Sequence, residues 1–204
     1  MAEDASRIEV RELTRKEIPS LTSLGRHRLG LDYVATSDFL EALAEDDRFC
    51  MVAFDGKLPV GFALCREFGP EDEPEEMALP ESPELDDLLG RGRIGLVRLV
   101  AVAPDSAGRG AASAMVAACL ERMAEDGCGV AASMARVTPE GKEELRRALS
   151  SNGFGRTALS VPGYLNLWVD SEDGHFCPQC GQPCRCSAVL WTRPVGGSDP
   201  PSER

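Results

Sequence analysis

Four cysteines crowd into the stretch Cys177-Pro178-Gln179-Cys180-Gly181-Gln182-Pro183-Cys184-Arg185-Cys186, at the spacing C-x2-C-x3-C-x-C. Thiolates are strong ligands for zinc, and C-P-x-C-G is a turn that aims two of them at one ion. Read this way, Cys177, Cys180, Cys184 and Cys186 form a closed tetrahedral Zn2+ site of the structural kind, with His175 as a spare ligand. If all four bind, no position stays open for a substrate. The spacing also admits a site completed by another chain, redox chemistry, or another metal. A second chemistry is written in Ala107-Gly108-Arg109-Gly110-Ala111-Ala112, which opens a helix. A helix start leaves backbone N–H groups unpaired and carries the positive end of the macrodipole, so it attracts phosphate. Small residues let an anion reach that backbone. Proton-transfer candidates elsewhere are Tyr164, Glu67 and His27. Each also has an ordinary structural reading, so the catalytic residues stay unassigned.

The elements that would carry these groups follow from the hydrophobic pattern. Ile8–Leu13 alternates like a half-buried strand, and Thr14 with Glu17 forms a capping box that starts a helix reaching Gly30. A short helix over Phe39–Asp46 turns Phe39, Leu40 and Leu43 inward. Phe49–Phe54 and Val60–Cys65 are strands joined by the turn signal Asp55-Gly56. Ile94–Val102 is an apolar run interrupted by Arg98, which suits a central strand. The small-residue loop then leads into a helix to Glu125, with Ala112, Met115, Val116, Cys119, Leu120 and Met123 on one face. Gly129–Val137 reads as a strand, Thr138–Ser151 as a helix, and Phe154–Val161 with Tyr164–Val169 as a closing hairpin. Ser187–Thr192 is a further short strand able to dock on the domain. Cys50, Cys65, Cys119 and Cys128 sit in apolar elements and read as core.

The net charge of −12 is local: Pro70–Gly90 holds nine acidic residues and no Lys or Arg. That segment, with its prolines, reads as a solvated loop carrying a short helix at Pro83–Leu89, or as a flap over a cationic substrate. Without a basic stripe, a nucleic-acid partner is not expected. No apolar run reaches membrane-spanning length and no N-terminal stretch resembles a secretory signal. The expectation is a cytoplasmic protein with no membrane partner, whose eight cysteines are thiols or metal ligands.

From Val100 to Phe154 the chain resembles the GNAT superfamily, the GCN5-related N-acetyltransferases. The family pattern is a strand ending V-x-P, the loop (Gln/Arg)-x-x-Gly-x-(Gly/Ala), a helix, and a later helix ending in Gly-Phe. Val102-Ala103-Pro104, Gly110, Ala112 and Gly153-Phe154 match it, and the element order resembles the family over residues 8–169. The resemblance implies a mixed α/β (α+β) fold, a central twisted sheet flanked by helices, with a small C-terminal metal-binding tail. It implies that two strands splay apart and that the pantetheine arm of acetyl-CoA lies between them. By position, backbone contacts to that arm fall on Val100, Ala101 and Val102. The pyrophosphate falls on the loop Ala107, Gly108, Arg109, Gly110, Ala111 and Ala112. Three positions depart from the family. Ala107 replaces the first-position Gln or Arg; Arg109 either compensates for it or points to solvent. Leu149 stands where many members carry a Tyr general acid, and Leu96 where many carry a Glu general base.

The domain reading is an acyl-CoA-binding domain over 1–170 with an acidic insertion at 70–92, a Cys-rich zinc tail over 171–195, and a disordered terminus at 196–204. The function implied is acetyl transfer from acetyl-CoA to an amine of a small molecule or peptide, by direct attack in a ternary complex; the acidic insertion is consistent with a cationic acceptor and equally with a solvated loop. A homodimer is one assembly open to such a chain. The alternative is a non-catalytic module that binds a CoA ester or a protein partner.

Overall fold

Strand alternation divides the apolar side chains of this chain between two faces of one sheet. The computed structural model describes residues 8–30, 33–73, 77, 79, 81–162, 177, 180–181 and 184–195. The elements are β1 (Ile8–Glu12), α1 (Ile18–Leu29), α2 (Thr36–Ala44), β2 (Arg48–Asp55), β3 (Leu58–Phe68), α3 (Pro83–Leu89), β4 (Ile94–Val102), α4 (Ala111–Glu125), β5 (Val130–Val137), α5 (Arg146–Ser151), β6 (Gly155–Pro162) and β7 (Ser187–Pro194). The sheet has seven strands in the order β1-β2-β3-β4-β5-β7-β6. Every neighbouring pair is antiparallel except β4 with β5. No described helix is long and apolar enough to cross a membrane.

Along β2, Phe49, Met51 and Ala53 face α4, while Cys50, Val52 and Phe54 face α1 and α2. The inner face of α4 repeats Met115, Val116, Cys119 and Met123, all with no exposed surface. Each large side chain contributes about 1.5–3 kcal/mol by leaving water. The helix lies close because Gly95 has no side chain: a Cβ there would come within 2.4 Å of the Met123 sulfur. On the opposite face Phe39 meets Phe62 edge-on at 5.1 Å.

Several elements differ from the sequence expectation. The Thr14–Glu17 pairing exists, with the Glu17 carboxylate accepting from the Thr14 N–H at 2.9 Å and its hydroxyl at 2.6 Å, yet it closes a turn and the helix begins at Ile18. Leu40 and Leu43 are 39% and 37% exposed, because α2 buries only the stripe through Phe39. The helix expected from Thr138 shortens to α5. Thr138 accepts the Lys142 N–H and donates its own N–H to the Lys142 carbonyl, so Pro139–Gly141 forms a turn and Val137 bridges to Glu143.

The acidic insertion is docked. Its Met77, Leu79, Leu85 and Leu88 are buried against Phe68, Ile94, Leu96, Val130, Ala132 and Leu190, while Glu71, Glu81, Asp86 and Asp87 stay outside. Interleaved apolar residues give the segment a core of its own on the α1/α2 face, which a purely solvated loop would lack.

Among the described residues the partner of β6 is β7; the hairpin expected of Phe154–Val161 with Tyr164–Val169 has its second strand outside them, and His175 and 196–204 lie outside them too. Strand β7 runs between β5 and β6, pairing Val137 with Ser187 through to Val130 with Pro194. Arg193 donates to the Asn152 carbonyl at 2.6 Å, and Trp191 donates its indole N–H to Glu143. The segment read as a tail, 171–195, thus supplies an interior strand, and the cysteine cluster sits in the connection between two paired strands.

Candidate functional site

The two parallel strands separate partway along their length. β4 and β5 pair from Ile94 with Val130 to Val97 with Ser133, and no further. The cause is local. Against β3, Leu64 pairs with Leu99 and Cys65 with Val97, so Arg98 is an extra residue, a bulge that bends β4. The Ser133 hydroxyl donates to the Val97 carbonyl at 3.1 Å and closes the apex of the gap. Beyond it β4 stays with β3 and β5 stays with β7. Among the described residues the edge of Leu99–Val102 facing β5 therefore has no strand partner, and its backbone groups are open to a ligand. A cavity of about 340 Å3 fills the gap, with Val100, Ala101 and Val102 on one wall and Met134 and Arg136 on the other.

One end of the cavity is the start of α4. A short 3-10 turn, Pro104–Ser106, leads into Gly108 at φ +78° and Gly110, the N-cap, at φ +86°. A side chain is strained at such angles, so glycine permits the turn. No side chain caps the helix, and its first turn carries no Asp or Glu. The first N–H groups of α4 are thus left for an anion. Of the loop residues expected to bind the cofactor, Ala107, Gly108, Gly110, Ala111 and Ala112 line the cavity. Arg109 does not: its guanidinium pairs with Asp55 at the β2–β3 turn and ties the loop to that hairpin.

Glu67 and His27, two of the expected proton-transfer residues, lie elsewhere. Glu67 is 1% exposed and pairs with Arg93 at 2.9 Å, away from the cavity lining. Burial pushes its carboxyl above the ordinary value, with Arg93 opposing the shift. A raised carboxyl favours the fold while protonated, and that increment is lost as pH rises from about 4.5 through the raised value. Glu67→Gln is therefore expected to flatten the melting temperature against pH above 4.5 while leaving kcat/KM within about twofold, read by scanning calorimetry and an acetyl-transfer assay. His27 is exposed on α1 and does not line the cavity. Tyr164 is outside the described residues. Leu149 has no exposed surface and faces the α4 core, and Leu96 is buried under the insertion. Neither family acid–base position opens on the cavity.

The lining contains residues that sequence reasoning passed over: Arg28 and Tyr33 from α1 and the chain after it, Arg98, Arg136 and Glu144. Burial pushes the Tyr33 phenol up, with Arg136 opposing, so it keeps its proton at neutral pH. None of the described residues of 69–92 lines the cavity.

The cysteine cluster is formed. The four sulfurs lie within 4.8 Å of one another, with Cys177–Cys186 at 3.8 Å, Cys180–Cys184 at 3.8 Å and Cys180–Cys186 at 3.6 Å. Ligands about 2.3 Å from a tetrahedral ion stand about 3.8 Å apart, so the donor set fits zinc-like coordination and could hold a metal. The Arg185 N–H donates to the Cys180 sulfur at 3.1 Å, and the Gly181 N–H to the Cys177 carbonyl at 2.8 Å, fixing the turn. Burial pushes the Cys184 and Cys186 thiols up, and the neighbouring thiols add to it. Metal binding must displace those protons and weakens as pH falls. Cys186 directly precedes β7, where Ala188 pairs with Arg136, so the cluster stands at the rim of the cavity.

A mixed sheet split between its parallel strands, with an anion-binding helix start at one end of the split, defines a protein built to hold an extended phosphate-bearing cosubstrate. The sequence profile of the acetyltransferase (GNAT) family matches residues 10–154, and the chain belongs to that family. No curated protein matches the chain by sequence. Among solved structures, the fold is similar to NAA60 of Arabidopsis thaliana in complex with acetyl-CoA (TM-score 0.65, 12% identity, 93% of this chain and 99% of that one). It is also similar to the ribosomal-protein-S18-alanine N-acetyltransferase of Escherichia coli (TM-score 0.59, 11% identity, 97% and 99%). A third is yncA, described as a putative acetyltransferase, from Salmonella typhimurium with acetyl-CoA (TM-score 0.61, 13% identity, 96% and 98%).

Proposed function

We propose that this N-acetyltransferase holds acetyl-CoA in the split between β4 and β5 and passes the acetyl group to an amine entering from the α1/α2 face. The observation that carries the reading is the end of β4–β5 pairing at Val97 and Ser133, with the open helix start at Gly110 at the far end of the same cavity. The pyrophosphate sits on the N–H groups from Gly108 to Ala112, and the pantetheine arm runs along Val100–Val102. Backbone N–H groups of that free edge polarise the thioester carbonyl. The amine nitrogen attacks the carbonyl carbon, the C–S bond breaks, and CoA leaves as the thiol. Two protons move: one from the amine to Glu144 or water, one to the sulfur from Tyr33 or water. Holding both partners in line supplies much of the rate, which suits a site whose Leu96 and Leu149 transfer no proton.

The four cysteines hold a structural Zn2+. The sulfur separations support it, and the closed donor set leaves the ion no catalytic role.

The test pairs calorimetric titration of acetyl-CoA with thiol release on an amine panel. Saturable one-to-one binding with amine-dependent release is expected. Tyr33→Phe and Glu144→Gln should each lower kcat by about 10- to 100-fold with the acetyl-CoA Kd within twofold. Binding without release from any amine would leave a CoA-ester-binding module instead.

A further inference from the structure

The cavity is lined from both faces of the sheet, and its two ends differ. One is the loop and helix start of α4. The other opens on the α1/α2 face and is lined by Arg28, Tyr33, Arg98 and Arg136. Three cations converge there from α1, β4 and β5. The face of each follows from packing. Arg98 lies beside Asp38 and Ala42 of α2 and Leu64 of β3. Arg136 alternates with Met134, which packs on the insertion's core on that same face.

Of the three, Arg136 has partners, and Arg28 and Arg98 are the two cations with donors to spare. Arg28 Nε is buried and has no hydrogen-bond partner among the described residues. Arg98, the bulged residue, makes no hydrogen bond and no ion pair with a described residue. Asp38 and Glu41 of α2 act on it from a distance, and Arg48 and Arg66 oppose them. The Asp38 carboxylate is engaged by the Ala35 N–H and Glu41 by Arg48. Arg136 meets Glu144 at 3.7 Å, and Glu144 is the single carboxylate of the described lining. Arg98 is exposed to the water of the cavity, so an anion there gains charge-assisted hydrogen bonds, and at Arg28 Nε it also satisfies a buried donor.

The phosphates of CoA do not fill this need. They belong at the helix start, and the strand from Arg98 to Val102 separates the two ends by about 3.3 Å per residue. The α1/α2 mouth is where the acceptor enters.

Resting on the proposed acetyl-CoA site, we infer that the acceptor amine carries an anionic group, a carboxylate or a phosphate, held by Arg28 and Arg98 with Arg136 beside them. Guanidinium groups suit both anions because each offers paired donors to two oxygens. The amine end then points at the thioester and at Glu144. This is the opposite of the charge that the acidic insertion, read as a flap, would favour.

The experiment uses four amines of similar length: 1,4-diaminobutane, 4-aminobutan-1-ol, 4-aminobutanoate and 3-aminopropyl phosphate. Each is titrated into CoA-loaded protein by calorimetry and assayed for thiol release from acetyl-CoA. At least one anionic amine is expected to bind tenfold or more tighter than the diamine, and the tighter of the two identifies the anion. Arg28→Gln and Arg98→Gln are each expected to erase tenfold or more of that preference through KM, with kcat and the acetyl-CoA Kd within about twofold. The unchanged Kd also shows that both variants fold. If the diamine or the alcohol binds as tightly as both anionic amines, or neither anionic amine binds, the inference is overturned. A preference that survives in both variants overturns it as well. Failure of acetyl-CoA itself to bind overturns the proposed function and this inference together. Binding of acetyl-CoA without charge preference overturns this inference alone.

Discussion

Gly110→Asp is expected to raise the Kd for acetyl-CoA by about 100-fold or more, while Gly110→Asn raises it only several-fold. Gly110 is the N-cap of α4 at φ +86°, and a Cβ there meets nothing within 4 Å. Asn and Asp tolerate this backbone region better than other residues, so strain of about 1 kcal/mol is common to both variants. The difference between them is charge. A carboxylate a few ångströms from a phosphate costs about 4 kcal/mol at an effective dielectric of 20. Even half of that exceeds a factor of 10 in affinity, since each 1.4 kcal/mol is tenfold. Calorimetric titration of both variants reads the effect. Equal weakening by Asp and Asn would mean that the loop acts through shape, and that no phosphate sits at the helix start.

Removing the metal is the second large effect. The purified protein is expected to carry about one zinc per chain, and Cys180→Ser or exhaustive chelation is expected to lower the melting temperature by about 10 °C. Small zinc fingers unfold without metal because the ion supplies about 10–16 kcal/mol to a fold that has little else. Here β7 is already held on both edges by β5 and β6, and Val189, Leu190 and Trp191 are buried. The sheet should therefore survive, with a loss of about 3–5 kcal/mol at about 2–4 °C per kcal/mol. Metal content should also fall as pH is lowered, because the Cys184 and Cys186 thiols, pushed up by desolvation and by their neighbouring thiols, hold their protons more tightly than usual. Unchanged zinc in Cys180→Ser, or an unchanged melting temperature after chelation, contradicts the assignment.

The loop and the helix were legible because local chemistry determines them. Gly108 and Gly110 mark a turn that other residues resist, and Met115, Val116, Cys119 and Met123 repeat at the helical period. The cysteine cluster was legible for the same reason: its ligands are near neighbours in sequence. The bulge at Arg98 was not. A polar residue in an apolar strand looks the same whether it is paired or extra, and only the register against β3 distinguishes them. The arginine-lined mouth was also hidden, since Arg28, Arg98 and Arg136 come from three distant elements. Composition misled in the opposite direction. The acids of 70–90 dominate the net charge, yet the segment's four buried apolar residues decide where it docks. The position of β7 was out of reach because sequence order gives no sign that a strand after a metal loop returns to the middle of a sheet.

The central claim is that acetyl-CoA occupies the split between β4 and β5 with its phosphates on the start of α4. Backbone amide shifts measured by NMR as acetyl-CoA is added test it most directly. The account predicts that the largest shifts cluster at Gly108–Ser113 and at Leu99–Val102, with Ile94–Val97, where the strands remain paired, nearly unmoved. Saturable binding with its largest shifts elsewhere, at the cysteine cluster or on the acidic insertion, would contradict it.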